Sequence, residues 1–276
     1  MHSFGISVVI TFFFLLVPTA VSQEKVKITI LHTNDTHSQV EPLEKNNMGG
    51  YARRMGVIDQ IRAEEKNVLL LDAGDYWQGT PYFNFFNGRI EIDAMNRMKY
   101  DAATLGNHEF DNGLDTMLTV LSGADFQIIS SNYVFENAEL KKLVKPYVIL
   151  KVEGVKVGIM ALGINPEGLV AQSNYQKTIY LDPVVAAKET SEFLKKKEDC
   201  DLIICLSHLG TNERLEITDF DIARATRHID VIIGGHSHQI IEDTIAKNYD
   251  GRDVIIAQMG KSGVYLGRID LELEKE

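Results

Sequence analysis

Cysteine is nearly absent from this chain. The two present, Cys200 and Cys205, bracket the β-like run Asp201-Leu202-Ile203-Ile204. Extended residues rise about 3.3 Å each, which puts their Cα atoms beyond the roughly 7 Å reach of a disulfide. Neither belongs to a Cys-x-x-Cys pair, so a disulfide scaffold, a zinc ribbon and a dithiol redox site are excluded, and both read as small buried apolar residues. With 6 prolines and 21 glycines in 276 residues, collagen and Pro/Gly-rich linkers are excluded too. Basic residues are in deficit: 28 Lys+Arg stand against 39 Asp+Glu, a net charge of −11. Such a surface offers no broad footprint for a phosphodiester backbone, so no nucleic-acid polymer is expected as a partner. An anionic small molecule would need attraction from something other than net charge. Long apolar runs are also missing. The longest, Ile6 to Val17, is broken by Ser7 and Thr11 and falls short of the roughly 20 residues of a bilayer span, which excludes a multi-span membrane protein. With no repeat, heptad pattern or low-complexity tract, the remaining composition is that of a globular domain.

The apolar run is followed by Pro18 and Ala20-Val21-Ser22, the plan of a secretory signal peptide over residues 1–22. The segment before it carries no Lys or Arg, so an uncleaved N-terminal membrane anchor is the alternative. No Cys follows the cleavage site, which argues against a lipid anchor. The sequence therefore predicts an exported protein, periplasmic or secreted, whose mature part, residues 23–276, keeps the full −11.

Short apolar runs alternate with helical stretches along that mature part. Strands are predicted over Val26–Thr33, Val68–Asp72, Ala102–Leu105, Gln127–Ser130, Asp201–Leu206, Val231–Gly234 and Val254–Gln258. Helices are predicted over Gly50–Glu65, Ile90–Met98, Leu114–Leu121 and Pro183–Lys197. Pro146–Val152 and Val155–Leu162 read as a hairpin around Glu153-Gly154, and Gly267–Leu273 as a closing edge strand. The economical reading is one layered α/β domain with a largely buried sheet covered by helices.

Ligands in open α/β sheets sit beyond the carboxyl ends of the strands, and these ends carry the chemistry. Asn34-Asp35-Thr36-His37, Gly74-Asp75, Gly106-Asn107-His108-Glu109-Phe110-Asp111, Ser207-His208 and Gly234-Gly235-His236-Ser237-His238 each follow a predicted strand. Imidazole, carboxylate and carboxamide together form the ligand mix of zinc, manganese or iron(II). Residues i and i+2 of an extended segment share a side, so Asp35 with His37, and His236 with His238, can each approach one ion. Asp35, His37, Asp75, Asn107, His208, His236 and His238 are too many for one tetrahedral site. Two divalent metal ions sharing a carboxylate accommodate them; Asp75, between two glycine-flanked turns, is the bridging candidate. His32 and His228 read as structural. The aromatic group of Trp77, Tyr82, Phe83, Phe85 and Phe86 reads as core packing for the helix that follows, and Lys195-Lys196-Lys197 as cations at a helix C-terminus.

In order and spacing, Asp35-Thr36-His37, Gly74-Asp75-x-x-Gln78-Gly79, Gly106-Asn107-His108-Glu109-Phe110-Asp111, His208 and Gly235-His236-Ser237-His238 resemble the calcineurin-like metallophosphoesterases, and within them the 5′-nucleotidase/UDP-sugar hydrolase branch. The resemblance spans essentially the whole mature chain. It implies a four-layer αββα sandwich with a dimetal site at its strand ends. Asp35, His37, Asp75 and His238 would hold one metal, and Asp75, Asn107, His208 and His236 the other. His108, paired with Asp111, would act on the phosphate and its leaving group. The implied reaction is hydrolysis of a small phosphate ester, such as a nucleoside 5′-monophosphate or a UDP-sugar, by metal-activated water. A cyclic phosphodiester or another ester is the alternative substrate. Full-length members carry a second, C-terminal domain that holds the nucleoside, whereas this sequence ends at Lys275-Glu276. Three readings follow: a catalytic or docking half that works with a separate C-terminal chain, a stand-alone phosphatase, or a shortened chain.

Overall fold

The structure, a computed structural model, describes residues 25–212 and 214–274; the segment read as a signal peptide, residues 1–22, lies outside the described residues. The first half of the chain runs β1 (Lys25–Thr33), α1 (Tyr51–Glu64), β2 (Val68–Asp72), α2 (Pro81–Phe86), α3 (Arg89–Met98), β3 (Ala102–Thr104), a 3₁₀ turn at His108–Phe110, α4 (Gly113–Leu121), β4 (Gln127–Ile129), β5 (Tyr133–Val134), α5 (Ala138–Leu143) and β6 (Val144–Lys145). The second half runs β7 (Tyr147–Val152), β8 (Val155–Leu162), α6 (Gln172–Tyr175), β9 (Ile179–Tyr180), α7 (Pro183–Lys196), β10 (Leu202–Ser207), α8 (Asp219–Ala225), β11 (Val231–Gly234), β12 (Ile240–Lys247), β13 (Asp253–Met259) and β14 (Gly267–Glu274). No helix among the described residues is long and apolar enough to cross a membrane.

The strands form two six-stranded sheets, in the orders β14-β1-β2-β3-β4-β6 and β12-β13-β11-β10-β8-β7, with β5 and β9 as a small separate ribbon. This corrects the expectation of one buried sheet. Alternation along each strand decides the packing, because neighbouring side chains point to opposite faces. Ile28, Ile30, Leu69 and Leu71 of the first sheet join Ile159, Ile204, Leu206 and Ile233 of the second in one core between the sheets. Leu31 and Leu70 face the other way, onto Ile58 of α1, Ile92 of α3 and Met117 of α4. Ile203 and Cys205 turn outward onto Ala187 and Leu194 of α7 and Ile222 of α8. The layers are therefore helix, sheet, sheet, helix, the sandwich that the family resemblance implies. Each fully buried Leu or Ile stabilises it by roughly 1.5–3 kcal/mol.

The hairpin forms as expected, turning at Glu153 (φ 50°) and Gly154 (φ 92°), the left-handed pair that suits a right-twisted ribbon. Cys200 and Cys205 are buried and unbridged. Trp77 and Phe83 are buried, but Phe85 is 78% and Phe86 46% exposed. The aromatic group is thus only half core, because α2 is a short helix whose far side meets solvent.

Candidate metal centre

Parallel strands bring their C-terminal ends to one edge of the sandwich. Thr33 lies level with Asp72 in the first sheet and Ser207 level with Gly234 in the second, and the loops leaving these ends meet across the gap between the sheets. The pairing of β1 with β2 runs on beyond the strands: the amides of Asp35, His37 and Ser38 donate to the carbonyls of Gly74, Asp75 and Tyr76. From the second sheet, the amide of His236 donates to both carboxylate oxygens of Asp35 (3.1 and 3.0 Å), and Nδ1 of His208 meets the carbonyl of Ala73 at 2.7 Å.

Five of the seven predicted ligands, Asp35, His37, Asp75, His236 and His238, have φ between 47° and 64°. The left-handed region costs a residue with a Cβ about 1–2 kcal/mol, and such strain persists only where surrounding contacts over-determine it. Here they do. Asn34, buried, donates to Asp35 Oδ2 (2.6 Å) and the Gly260 carbonyl, and accepts from the Met259 amide. Glu109, fully buried, accepts the amides of Asp75, Trp77 and Gly106 and so ties two loops together. Gln258 accepts from Ser237 Oγ and the Gln239 amide while donating to the Gly235 carbonyl. None of these three supports is among the candidate site residues that the sequence suggests. Glu109 stands within a quoted motif and Asn34 beside Asp35, but nothing local marks Gln258.

The ligand atoms of Asp35, His37 and His238 lie within 4.8 Å of one another, as do those of Asp75, His208 and His236, and those of His37, Asp75 and His108. His37 Nε2 faces His238 Nε2 at 3.0 Å, with Asp35 Oδ1 at 3.9 and 3.3 Å from them. His208 Nε2 is 3.1 Å from Asp75 Oδ2, yet it is buried without a hydrogen-bond partner. Asn107 Oδ1 lies 3.1 Å from His236 Nδ1. Burial alone would lower the His208 pKa, but the charge of Asp75, reinforced by Asp35, pushes it up to about 10. Burial and the neighbouring His208 push His236 down to about 4, and burial lowers His37. The cluster thus demands positive charge between its carboxylates while disfavouring protons on its outer imidazoles. Nitrogens converging on two buried carboxylates, one of them orphaned, fit divalent cations.

His108 stands apart from this pattern. Its Nδ1 is 2.7 Å from Asp111 Oδ2, and although burial opposes it, that hydrogen bond together with Asp75 raises its pKa. Asp111 does not cap α4, whose N-cap position is Asn112. Asp75 has a turn-bracing role besides facing His208, since its Oδ1 accepts the His108 amide at 2.9 Å. A cavity of 320 Å³ opens over the cluster, lined by His37, His108 and His238 together with Gln78, Lys261 and Ser262. His32 is buried away from it, its ring against Gly267, and His228 lines a separate hollow beside α7.

The profile of the calcineurin-like phosphoesterase family matches residues 28–240. The chain is 34% identical over 276 residues to a 5′-nucleotidase of Homo sapiens, covering 90% of this chain and 47% of that protein. It is 33% identical over 282 residues to the trifunctional nucleotide phosphoesterase protein YfkN of Bacillus subtilis, covering 90% of this chain and 18% of that one. The crystal structure of a 5′-nucleotidase precursor from Thermus thermophilus superposes with a TM-score of 0.82 at 35% identity, over 89% of this chain and 51% of the other. The chain spans about half the length, or less, of the curated relatives it matches.

Proposed function

Because the chain belongs to the calcineurin-like phosphoesterase family, whose members use dimetal centres, we propose that it hydrolyses phosphate esters at two divalent cations. Asp35, His37, Asp75 and His238 would hold one, and Asp75, Asn107, His208 and His236 the other. The observation that carries this reading is the pair of histidine-carboxylate clusters, Asp35 with His37 and His238, and Asp75 with His208 and His236. When bound, two such cations supply Lewis acidity, neutralising phosphoryl oxygens and acidifying water; they also provide the attraction that a chain of charge −11 lacks. The protein's own part is orientation and proton handling. With Nδ1 held by Asp111, His108 has Nε2 left to stabilise charge on the phosphate and to give a proton to the departing oxygen.

For substrates we propose nucleoside 5′-monophosphates or UDP-sugars, supported by relatives named as 5′-nucleotidases. Those relatives are about twice as long, which supports a second reading: a C-terminal partner or further domain supplies the nucleoside pocket. Residues 1–22 would direct export to the periplasm or exterior. The test is a panel of p-nitrophenyl phosphate, AMP, UDP-glucose and a cyclic nucleotide with Mn²⁺ or Zn²⁺, with and without a candidate partner chain. Slow, weakly selective monoester hydrolysis, made nucleotide-selective by the partner, is expected. No turnover of any ester by metal-loaded protein refutes the reading.

A further inference from the structure

The loop after β13 is tethered to Asp35 of the metal cluster and to the residue before it, yet the side chain of the one lysine it carries is left without a partner. Gly260, Ser262 and Gly263 all adopt left-handed φ (67°, 60° and 55°). The Gly260 amide donates to the Gln239 carbonyl and the Ser262 amide to the Asp35 carbonyl. Asn34 Nδ2 donates to the Gly260 carbonyl at 2.8 Å, and the buried Arg54 reaches the Gly263 carbonyl at 3.4 Å. The residues on both sides of Lys261 are thus tethered, Gly260 to Asn34 beside Asp35 and Ser262 to Asp35 itself. Lys261 itself is exposed and lines the same cavity as His37, His108 and His238. Among the described residues its side chain has no hydrogen bond or ion pair, so the ammonium is free to meet a ligand. In a chain with eleven excess negative charges, Lys261 is the only Lys or Arg among the described residues that line this cavity.

We propose that Lys261 is a substrate-binding residue of the site, taking phosphoryl oxygens of a dianionic phosphate held in the cavity that it shares with the histidines. This rests on the phosphoesterase reading and names a contact within it. An ammonium donates charge-assisted hydrogen bonds to such oxygens from a flexible stem, and Gln78 and Ser262, which line the same cavity, offer neutral donors. Its contribution belongs to binding and to approach of the anion, so it should appear in KM and in phosphate affinity rather than in kcat.

The experiment compares Lys261→Met and Lys261→Arg with Lys142→Met, which removes the same charge from an exposed helix outside the cavity. Inorganic phosphate is titrated calorimetrically into Mn²⁺-loaded protein, and p-nitrophenyl phosphate kinetics are measured at low and high salt. Lys261→Met should weaken phosphate binding and raise KM about tenfold, leave kcat within about twofold and flatten the salt dependence. Lys261→Arg should restore most of the loss, and Lys142→Met should match the parent. Phosphate affinity unchanged in Lys261→Met, equal losses in both Met variants, or no phosphate binding by the parent overturns the proposal. Because calorimetry reads it without turnover, absence of hydrolysis would sink the phosphoesterase reading alone.

Discussion

His108 and His236 both follow strand ends at the metal cluster but differ in what holds them, and that difference predicts opposite failures. His108 is oriented by Asp111, so His108→Ala should keep the parent's metal content while turnover falls about 10²–10⁴-fold. His236 converges on Asp75 and Asn107, so His236→Ala should lose metal and activity together. Metal analysis beside kinetics decides; metal loss from His108→Ala with fast residual turnover would reverse the roles. A third histidine responds to acid. His32 is buried in β1 with neither ring nitrogen hydrogen-bonded, and burial lowers its pKa to about 4. The unfolded chain takes up a proton near pH 6.5 that the folded chain refuses until about pH 4, so stability is full above that window and lost as pH falls through it. Each unit of depression is worth about 1.4 kcal/mol. The Tm of His32→Leu relative to the parent should rise as pH drops from 7 to 4, and parallel curves would refute the account. The strand-end histidines and carboxylates were legible in the sequence because glycine and polar neighbours mark each strand end. Gln258 was not, because a glutamine inside a strand acquires its meaning only when the loop it braces arrives from elsewhere in the chain.

At the scale of elements, the central parallel strands were readable to within a residue or two, since continuous apolar runs such as Leu202–Ser207 leave little choice. Several shorter or irregular elements went unread, β12 and α8 among them. β12 is an edge strand with exposed Ile240 and Ile245 and a register shift between Ile241 and Thr244, which erases the alternation that identifies a strand. α8 is short, but its capping box was visible: the Thr218 side chain takes the Asp221 amide while Asp221 takes the Thr218 amide. This cap matters for the metal cluster because α8 begins with Asp219, which accepts from Ser207 Oγ immediately before His208. Thr218→Ala should destabilise by about 1 kcal/mol, a Tm drop of about 2–4 °C for a chain of this size. An unchanged Tm would mean that packing of Ile222 and Ala223 alone holds the helix.

At the scale of the whole molecule, the layered α/β class followed from the alternation of strands and helices, but the division into two sheets did not. Period-two patterning says which side chains share a face and nothing about which strand lies beside which, and the pairing of β1 with β14 joins segments from opposite ends of the domain. The metal cluster likewise draws on both sheets, so cations bound there should clamp them together. Chelation should lower Tm and added Mn²⁺ should raise it with concentration, following mass action; a Tm indifferent to both would show that no ion bridges the sheets in the folded protein. The partnership of first and last strands also sets a schedule for synthesis. Lys25 and Glu272 are 247 residues apart in sequence yet meet across β1 and β14. A nascent chain leaving the ribosome therefore displays the unpaired outer edge of β1 throughout translation of the domain, and a chaperone that shields that edge would have to stay until the final strand emerges.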